Sequence, residues 1–255
     1  MQKLSSQSEI ADGAQIAEDV TIGPFCYIGP EVIIEAGCAI GANVSIVGRT
    51  RLQEGVKVSP MAVIGTTPEG NESDGQVRIG AENEIREHVT VYAGTDSPTQ
   101  LGKRNLVMIG CQIGAGVVMG DENILANFTQ VGDGACIEDY VRTSGFTFIE
   151  PAVRVGDYTF TAGYSDIDRD APPFAMVQGC PFRIRGVNSH NLKRCGFTDD
   201  DIRTLKSAFR EIFNGTGLTA DKSAIQRILA EPQVNPHVRR LIAAVQQGRW
   251  VGETR

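Results

Sequence analysis

Proton transfer near neutral pH falls most readily to histidine, whose unperturbed pKa lies closest to it, and this chain has three: His88, His190 and His237. His88 is spaced as an outward residue of a repeated strand and is a candidate general base. His190 falls in a connector and His237 beside the start of a helix. The six cysteines, Cys26, Cys38, Cys111, Cys136, Cys180 and Cys195, contain no close pair of the kind that holds zinc or frames a disulfide scaffold. The residues imply no metal and no cofactor. Cations are distributed unevenly: more than half of the Lys and Arg residues lie from Arg169 onward, Arg183, Arg185, Lys193 and Arg194 among them, in a chain of formal charge -7. Such a tail is either a docking surface for an anionic partner or a set of solubilising charges. The acidic total argues against a general nucleic-acid binder.

These side chains must be held by a scaffold, and the scaffold is written as a period of six. Ile10, Ile16, Ile22, Ile28, Ile34, Ile40, Ile46, Leu52, Val58 and Ile64 form an unbroken series of branched aliphatics. A helix would space them three and four apart and a half-buried strand two apart. The fourth residue after each anchor is small or aliphatic as well, as at Ala14, Val20, Cys26, Val32 and Cys38. Each hexad therefore reads as one short strand plus a corner. Such units bury their apolar side only by stacking. Three hexads per coil put Ile10, Ile28, Ile46 and Ile64 in one interior column of a prism, with Cys26, Cys38 and Cys111 as reduced inward fillers.

The period breaks after Ile64, resumes at Ile79, Ile85 and Val91, and breaks again before Leu101, from which it runs to Ile167. The breaks predict loops over 65–78 and 94–100, rich in Gly, Pro, Ser and Asp, which are either binding flaps or solvated bulges. Asp170-Ala171-Pro172-Pro173 ends the repeat, because proline cannot serve a central ladder, and residues 171–187 read as an irregular connector. Residues 188–255 read as helical. Thr198 caps a helix through about Phe213 with three aspartates in its first turn, Thr219 caps a second, and Asn235-Pro236 starts a third that ends near Gly248. These helices could cover the open edge of the prism, which spans residues 1–170. The N-terminus lacks an apolar leader and no segment approaches the length of a membrane span, so the protein is expected in the cytoplasm.

Ile22-Gly23-Pro24-Phe25-Cys26, Ile85-Arg86-Glu87, Asn105-Leu106-Val107-Met108-Ile109, Ile124-Leu125-Ala126-Asn127, Asp170-Ala171-Pro172-Pro173, Gln178-Gly179, Gly186-Val187-Asn188 and Leu192-Lys193-Arg194-Cys195-Gly196-Phe197 together resemble the acyl-carrier-protein-dependent UDP-N-acetylglucosamine O-acyltransferases of lipid A synthesis. The resemblance runs nearly end to end, and its ordered tail motifs are more specific than the hexads. It implies a left-handed parallel β-helix, a homotrimer with active sites between subunits, and acyl carrier protein and a nucleotide sugar as partners. The implied activity moves a 3-hydroxyacyl chain from the carrier to the sugar 3-hydroxyl.

That chemistry requires a general base at the sugar hydroxyl. In the family a histidine supplies it; the matching stretch here is Gly110-Cys111-Gln112-Ile113-Gly114-Ala115-Gly116, and the base position is Ala115. Other histidines of the implied cleft correspond to Gln112, Gly134, Glu150 and Tyr158, a His-Arg pair to Tyr92-Ala93, and two nucleotide-holding tail residues to His190 and Cys195. Asn188, Lys193 and Arg194 keep their types, and the position that sets acyl-chain depth is Gly163, with Gly145 in the same lining. Substitute bases are sought in Asp133, which follows Val131 as Ala115 follows Ile113 one coil below, in Glu150 and in His88. A carboxylate is a weak base unless burial raises its pKa. Three readings follow: an acyltransferase that uses a substitute base or positioning alone, a catalytically retired homologue that binds nucleotide sugar, carrier protein or a related subunit, or a purely structural trimer. The paucity of histidine argues against the zinc-dependent carbonic-anhydrase branch of β-helix proteins.

Overall fold

The computed structural model describes residues 3–68, 74–213 and 219–248. The hexads wind into a parallel β-helix in which three short strands per coil pair with the coils above and below. Among the described residues nine strands build the second sheet, eight the third and eleven the first, the last two of these lying beyond the repeat. The anchor and the residue before it are the extended pair of most hexads, as in Tyr27–Ile28 and Gln112–Ile113, and the remaining residues turn the corner.

The predicted interior column forms. Ile10, Ile28, Ile46 and Ile64 stand in register, and the column continues through Val91, Ile113, Val131, Ile149 and Ile167. From Ile28 upward none of these is more than 1% exposed. Burial of such a side chain is worth about 1.5–3 kcal/mol, and each is buried because the next coil covers it.

Corners are closed by a second set of columns. Between the first and second sheets, Phe25, Asn43, Met61, His88, Phe128, Phe146 and Tyr164 all adopt positive φ. A left-handed residue costs roughly 1–2 kcal/mol. Here each N–H above Phe25 gains a carbonyl of the coil beneath, as Phe146 does from Asn127 and Tyr164 from Gly145. Between the third and first sheets, buried asparagines form a ladder: Asn83 accepts from the Asn105 N–H, Asn105 from the Asn123 N–H and Asn123 from the Val141 N–H. Cys26, Cys38 and Cys111 are buried fillers whose thiols donate to corner carbonyls, and all six cysteines are free.

Both insertions leave the prism at the same corner, between the second and third sheets. They are shorter than the spacing predicts. Gln76–Ile79 is strand, paired to Arg49–Leu52 on one side and to Thr99–Leu101 on the other, so residues 76–78 and 99–100 belong to the third sheet. Cross-strand pairing there outweighs the loop-like composition beside it. Residues 69–73 lie outside the described residues.

The tail departs further from expectation. Pro172 and Pro173 do not end the stacking, because they occupy a corner: Val155 still bridges Ala171, and the Thr159 hydroxyl donates to the Pro172 carbonyl at 2.6 Å. Residues 171–187 are largely ordered as a β-hairpin. Ala175–Gly179 pairs parallel to Phe160–Thr161, and Phe182–Val187 returns antiparallel to it. Among the described residues four helices follow: α1 Ser189–Arg194, α2 Asp199–Ile212, α3 Lys222–Leu229 and α4 Pro236–Gln247. Thr198 and Asp201 form a reciprocal capping box at α2, and Asn235 caps α4. The second cap is Asp221 and not Thr219; its carboxylate accepts from the Ser223 and Ala224 N–H groups, a stronger use of the same turn.

α2 lies against Phe182–Val187, and α4 is tied to the prism by Arg240, which bridges Glu138 and Asp157. Burial opposes ionisation of Glu138, yet the guanidiniums of Arg154 and Arg240 hold its carboxyl below the usual glutamate range. Burial and the neighbouring Glu138 charge push Asp157 upward despite Arg240. Above these pKa values both carboxylates are charged and need the cation; as pH falls through them the need disappears. Arg240→Met is therefore expected to lose about 1–2 kcal/mol at pH 7 and progressively less as pH is lowered through the carboxylate range, Asp157 losing its charge before Glu138, read from urea midpoints along that series. In the core, Leu125→Ala should cost about 2–5 kcal/mol in the same assay.

Candidate functional site

The candidate residues fall on three different parts of the prism. At the corner between the second and third sheets are Tyr92, Ala115, Asp133 and Glu150, with Gln112 exposed on the adjoining second sheet between Thr90 and Gln130. At the corner between the first and second sheets are His88, Gly145 and Gly163. On the tail, against the first sheet and its other corner, are Asn188, His190, Lys193 and Arg194, beside Tyr158.

Ala115 sits at the foot of this first group. Its methyl is half-buried, and its N–H donates to Asp133 Oδ1 at 2.8 Å across one coil. A Cβ on Gly114 would lie 2.5 Å from that same oxygen, so the carboxylate rests directly on the Gly114-Ala115 turn. Asp121, Asp139 and Asp157 make the identical contact at another corner, accepting from the N–H groups of Lys103, Asp121 and Asp139. Asp133 is thus built as a coil clasp. Glu150 is half-buried one coil higher, at the position of Gly132. Tyr92 opens the second insertion and its carbonyl accepts the Thr99 hydroxyl at 2.7 Å. The two insertions rise from this corner, as binding flaps would.

His88 lies across the width of the second sheet from Asp133, exposed and with φ 58°. Its corner carries an exposed aromatic stack: Phe128 on Phe146 at 5.1 Å and Phe146 on Tyr164 at 5.2 Å. Gly145 and Gly163 are the residues immediately before Phe146 and Tyr164, and a Cβ on Gly163 would meet the Gly145 carbonyl at 3.3 Å.

Tyr158 belongs to another stack, between Tyr140 at 4.8 Å and Phe174 at 5.8 Å, with Phe197 edge-on and His237 packed on Phe197. Burial, with Tyr140 beside it, pushes its hydroxyl pKa up to about 12. Its carbonyl accepts the Asn188 amide, and the Tyr140 carbonyl accepts the Asn191 amide, which fixes α1 on the prism.

Asn188, His190 and Arg194 line a pocket of about 460 Å³ whose opposite wall is the outer face of the first sheet. That wall contributes Ile124, Arg142, Phe160 and Met176, four residues in strand register that the motif reading did not nominate. Counting in eighteens finds the first three, since each precedes an inward anchor, but their meeting with α1 depends on the tail. Lys193 is outside this pocket and pairs with Asp199 at 2.8 Å. The basic tail also produces a second concavity, of about 410 Å³, between the hairpin and α2, where Arg185, Lys206 and Arg210 surround Phe209 and Phe213. Among the described residues no metal-binding cluster is present, and no helix is long and apolar enough to cross a membrane.

The hexads that wind this parallel β-helix define a class of transferase: residues 13–48 match the family described as bacterial transferase hexapeptide. Residues 170–252 match the second domain of UDP N-acetylglucosamine O-acyltransferase. The acyl-[acyl-carrier-protein]--UDP-N-acetylglucosamine O-acyltransferase of Azorhizobium caulinodans is 43% identical over 96% of this chain and 92% of its own length. That of Rickettsia typhi is 46% identical over 93% and 92%. The solved LpxA of Acinetobacter baumannii superposes with a TM-score of 0.88 at 32% identity, covering 97% of this chain and 98% of its own. The LpxA of Bacteroides fragilis gives 0.90 at 29%, covering 98% and 99%. The chain belongs to the UDP-N-acetylglucosamine O-acyltransferase family.

As a coil clasp Asp133 should contribute to stability: Asp133→Ala is expected to cost about 1 kcal/mol, read from the urea midpoint, and an unchanged midpoint would show that the contact does not fasten the coil.

Proposed function

We propose that this chain is a nucleotide-sugar-binding member of its family in which the proton-abstraction step of acyl transfer has been lost. The observation that carries the reading is Ala115: the position matching the family's base bears a methyl group, and no imidazole stands at its corner among the described residues. Within one copy His88 is on another corner, and His190 and His237 are on the tail; His88 of a neighbouring copy is the imidazole a trimer could bring to this cleft, and unchanged turnover in His88→Ala would exclude it. Asp133 has one oxygen committed to the Ala115 N–H. Glu150 is the remaining carboxylate that could take the role, and it defines the second reading, an acyltransferase with a substitute base. Two features support retained binding. Asn188 and Arg194 line a pocket, and no carboxylate lines it with them.

The distribution of candidates over separate parts of the prism supports a homotrimer in which the clefts form between copies, since one copy alone does not bring Ala115, Gly163 and Arg194 together. Arg185, Lys206 and Arg210 form a basic concavity suited to an acidic partner such as acyl carrier protein.

Purified protein given UDP-N-acetylglucosamine and 3-hydroxyacyl carrier protein should form product at least ~100-fold more slowly than the Azorhizobium caulinodans relative, the low end of what a general base contributes. UDP-N-acetylglucosamine should still raise the thermal midpoint. Turnover equal to the relative's would sink the proposal; a Glu150→Gln variant that abolished it would establish the substitute base.

A further inference from the structure

Arg142 lies on the outer face of the first sheet, in register between Ile124 and Phe160. It is outside the set of positions that the family resemblance nominates. It is half-buried, and its Nη1 donates to the carbonyls of Glu122 and Val141. Neither Arg142 nor Arg194 forms a salt bridge among the described residues, and the nearby Glu122 carboxylate is already engaged by Arg104. Both guanidiniums face the pocket that also holds Asn188, His190 and Asn191, and no carboxylate lines it.

Two cations brought together in a half-enclosed space repel each other and lose hydration, a cost that a counter-ion removes. Burial depresses the Arg142 pKa, and Arg194 adds to the depression. The Cys195 thiol in the lining offers no charge at neutral pH, because burial raises its pKa despite both arginines. Glu122 acts on Arg142 from outside the lining and is shared with Arg104, so an anionic ligand would complete the balance inside the pocket. Guanidinium forks match phosphate oxygens. The carboxamides of Asn188 and Asn191 are committed to the prism backbone and so fix the pocket's floor. The pocket's apolar side, Phe160 and Met176 with Ile124, suits an organic group attached to that phosphate.

We infer that Arg142, from the first sheet, joins Arg194 of the tail in holding the diphosphate of the bound ligand. The inference rests on, and sharpens, the nucleotide-sugar reading above. Phosphate charge is held between the first sheet and α1, and no bond is made or broken.

The test is calorimetric titration of the full chain and of Arg142→Met and Arg142→Lys with two probes, inorganic pyrophosphate and UDP-N-acetylglucosamine. The wild type should bind pyrophosphate with an affinity that falls steeply with added salt. Arg142→Met should weaken both probes at least ~10-fold, and Arg142→Lys, which keeps the charge without the fork, should lie between. Ligand-free thermal midpoints serve as the fold control; should Arg142→Met fail to fold, the Lys variant against wild type carries the comparison. Equal affinities in wild type and folded variants, or no pyrophosphate binding by the wild type, overturn the inference. If pyrophosphate binds through Arg142 but UDP-N-acetylglucosamine neither binds nor displaces it, the anion site stands and the nucleotide-sugar reading falls.

Discussion

A single coil of three short strands has no inside. Its anchors become buried only when identical positions eighteen residues away lie on top of them, and its strand N–H groups find carbonyls only on the next coil. Every other property of the molecule is subordinate to that vertical register. It explains why corner residues accept positive φ, since the same N–H groups find partners one coil away. It explains the polar ladders too: Asn83, Asn105 and Asn123 each satisfy the backbone of the coil above, a use of a buried amide that needs an identical neighbour. The hydroxyls of Thr129 and Thr143, and of Thr147 and Thr161, pair within the interior in the same way.

Register also decides what a side chain can do. An aspartate at a coil corner has a backbone N–H beneath it, and Asp121, Asp133, Asp139 and Asp157 all use it. A carboxylate that fastens the scaffold in this way has an oxygen already committed to a backbone N–H, which works against general-base duty. The insertions escape this discipline because they leave the stack; both do so at the corner of Ala115, where the family resemblance puts the chemistry.

The tail obeys different forces. Its hairpin prolongs the first sheet by two strands, and its helices attach through apolar packing on Phe182–Val187 and through Arg240. α1 is too short to hold itself, and Asn188 and Asn191 secure it to tyrosine carbonyls of the third-to-first corner. This places Arg194 opposite Arg142, two cations separated by 52 positions in the chain that share one pocket.

The sequence by itself determined the prism, its interior columns, its reduced cysteines and two of its helix caps, because period and capping are local or strictly repeating properties. It overextended both loops, since the pairing of Gln76–Ile79 and Thr99–Leu101 is decided by strands in other coils. It read the hairpin as irregular, because Ala175–Gly179 is held by Phe160–Thr161 and not by any period of its own. Only tertiary structure could show that Asp133 clasps Ala115, that Tyr158 is locked in an aromatic stack, and that Arg142 meets Arg194. Those relations depend on which coil, corner or helix lies within a few ångströms, and a repeat that looks the same at every turn does not encode where a non-repeating tail will fold back upon it.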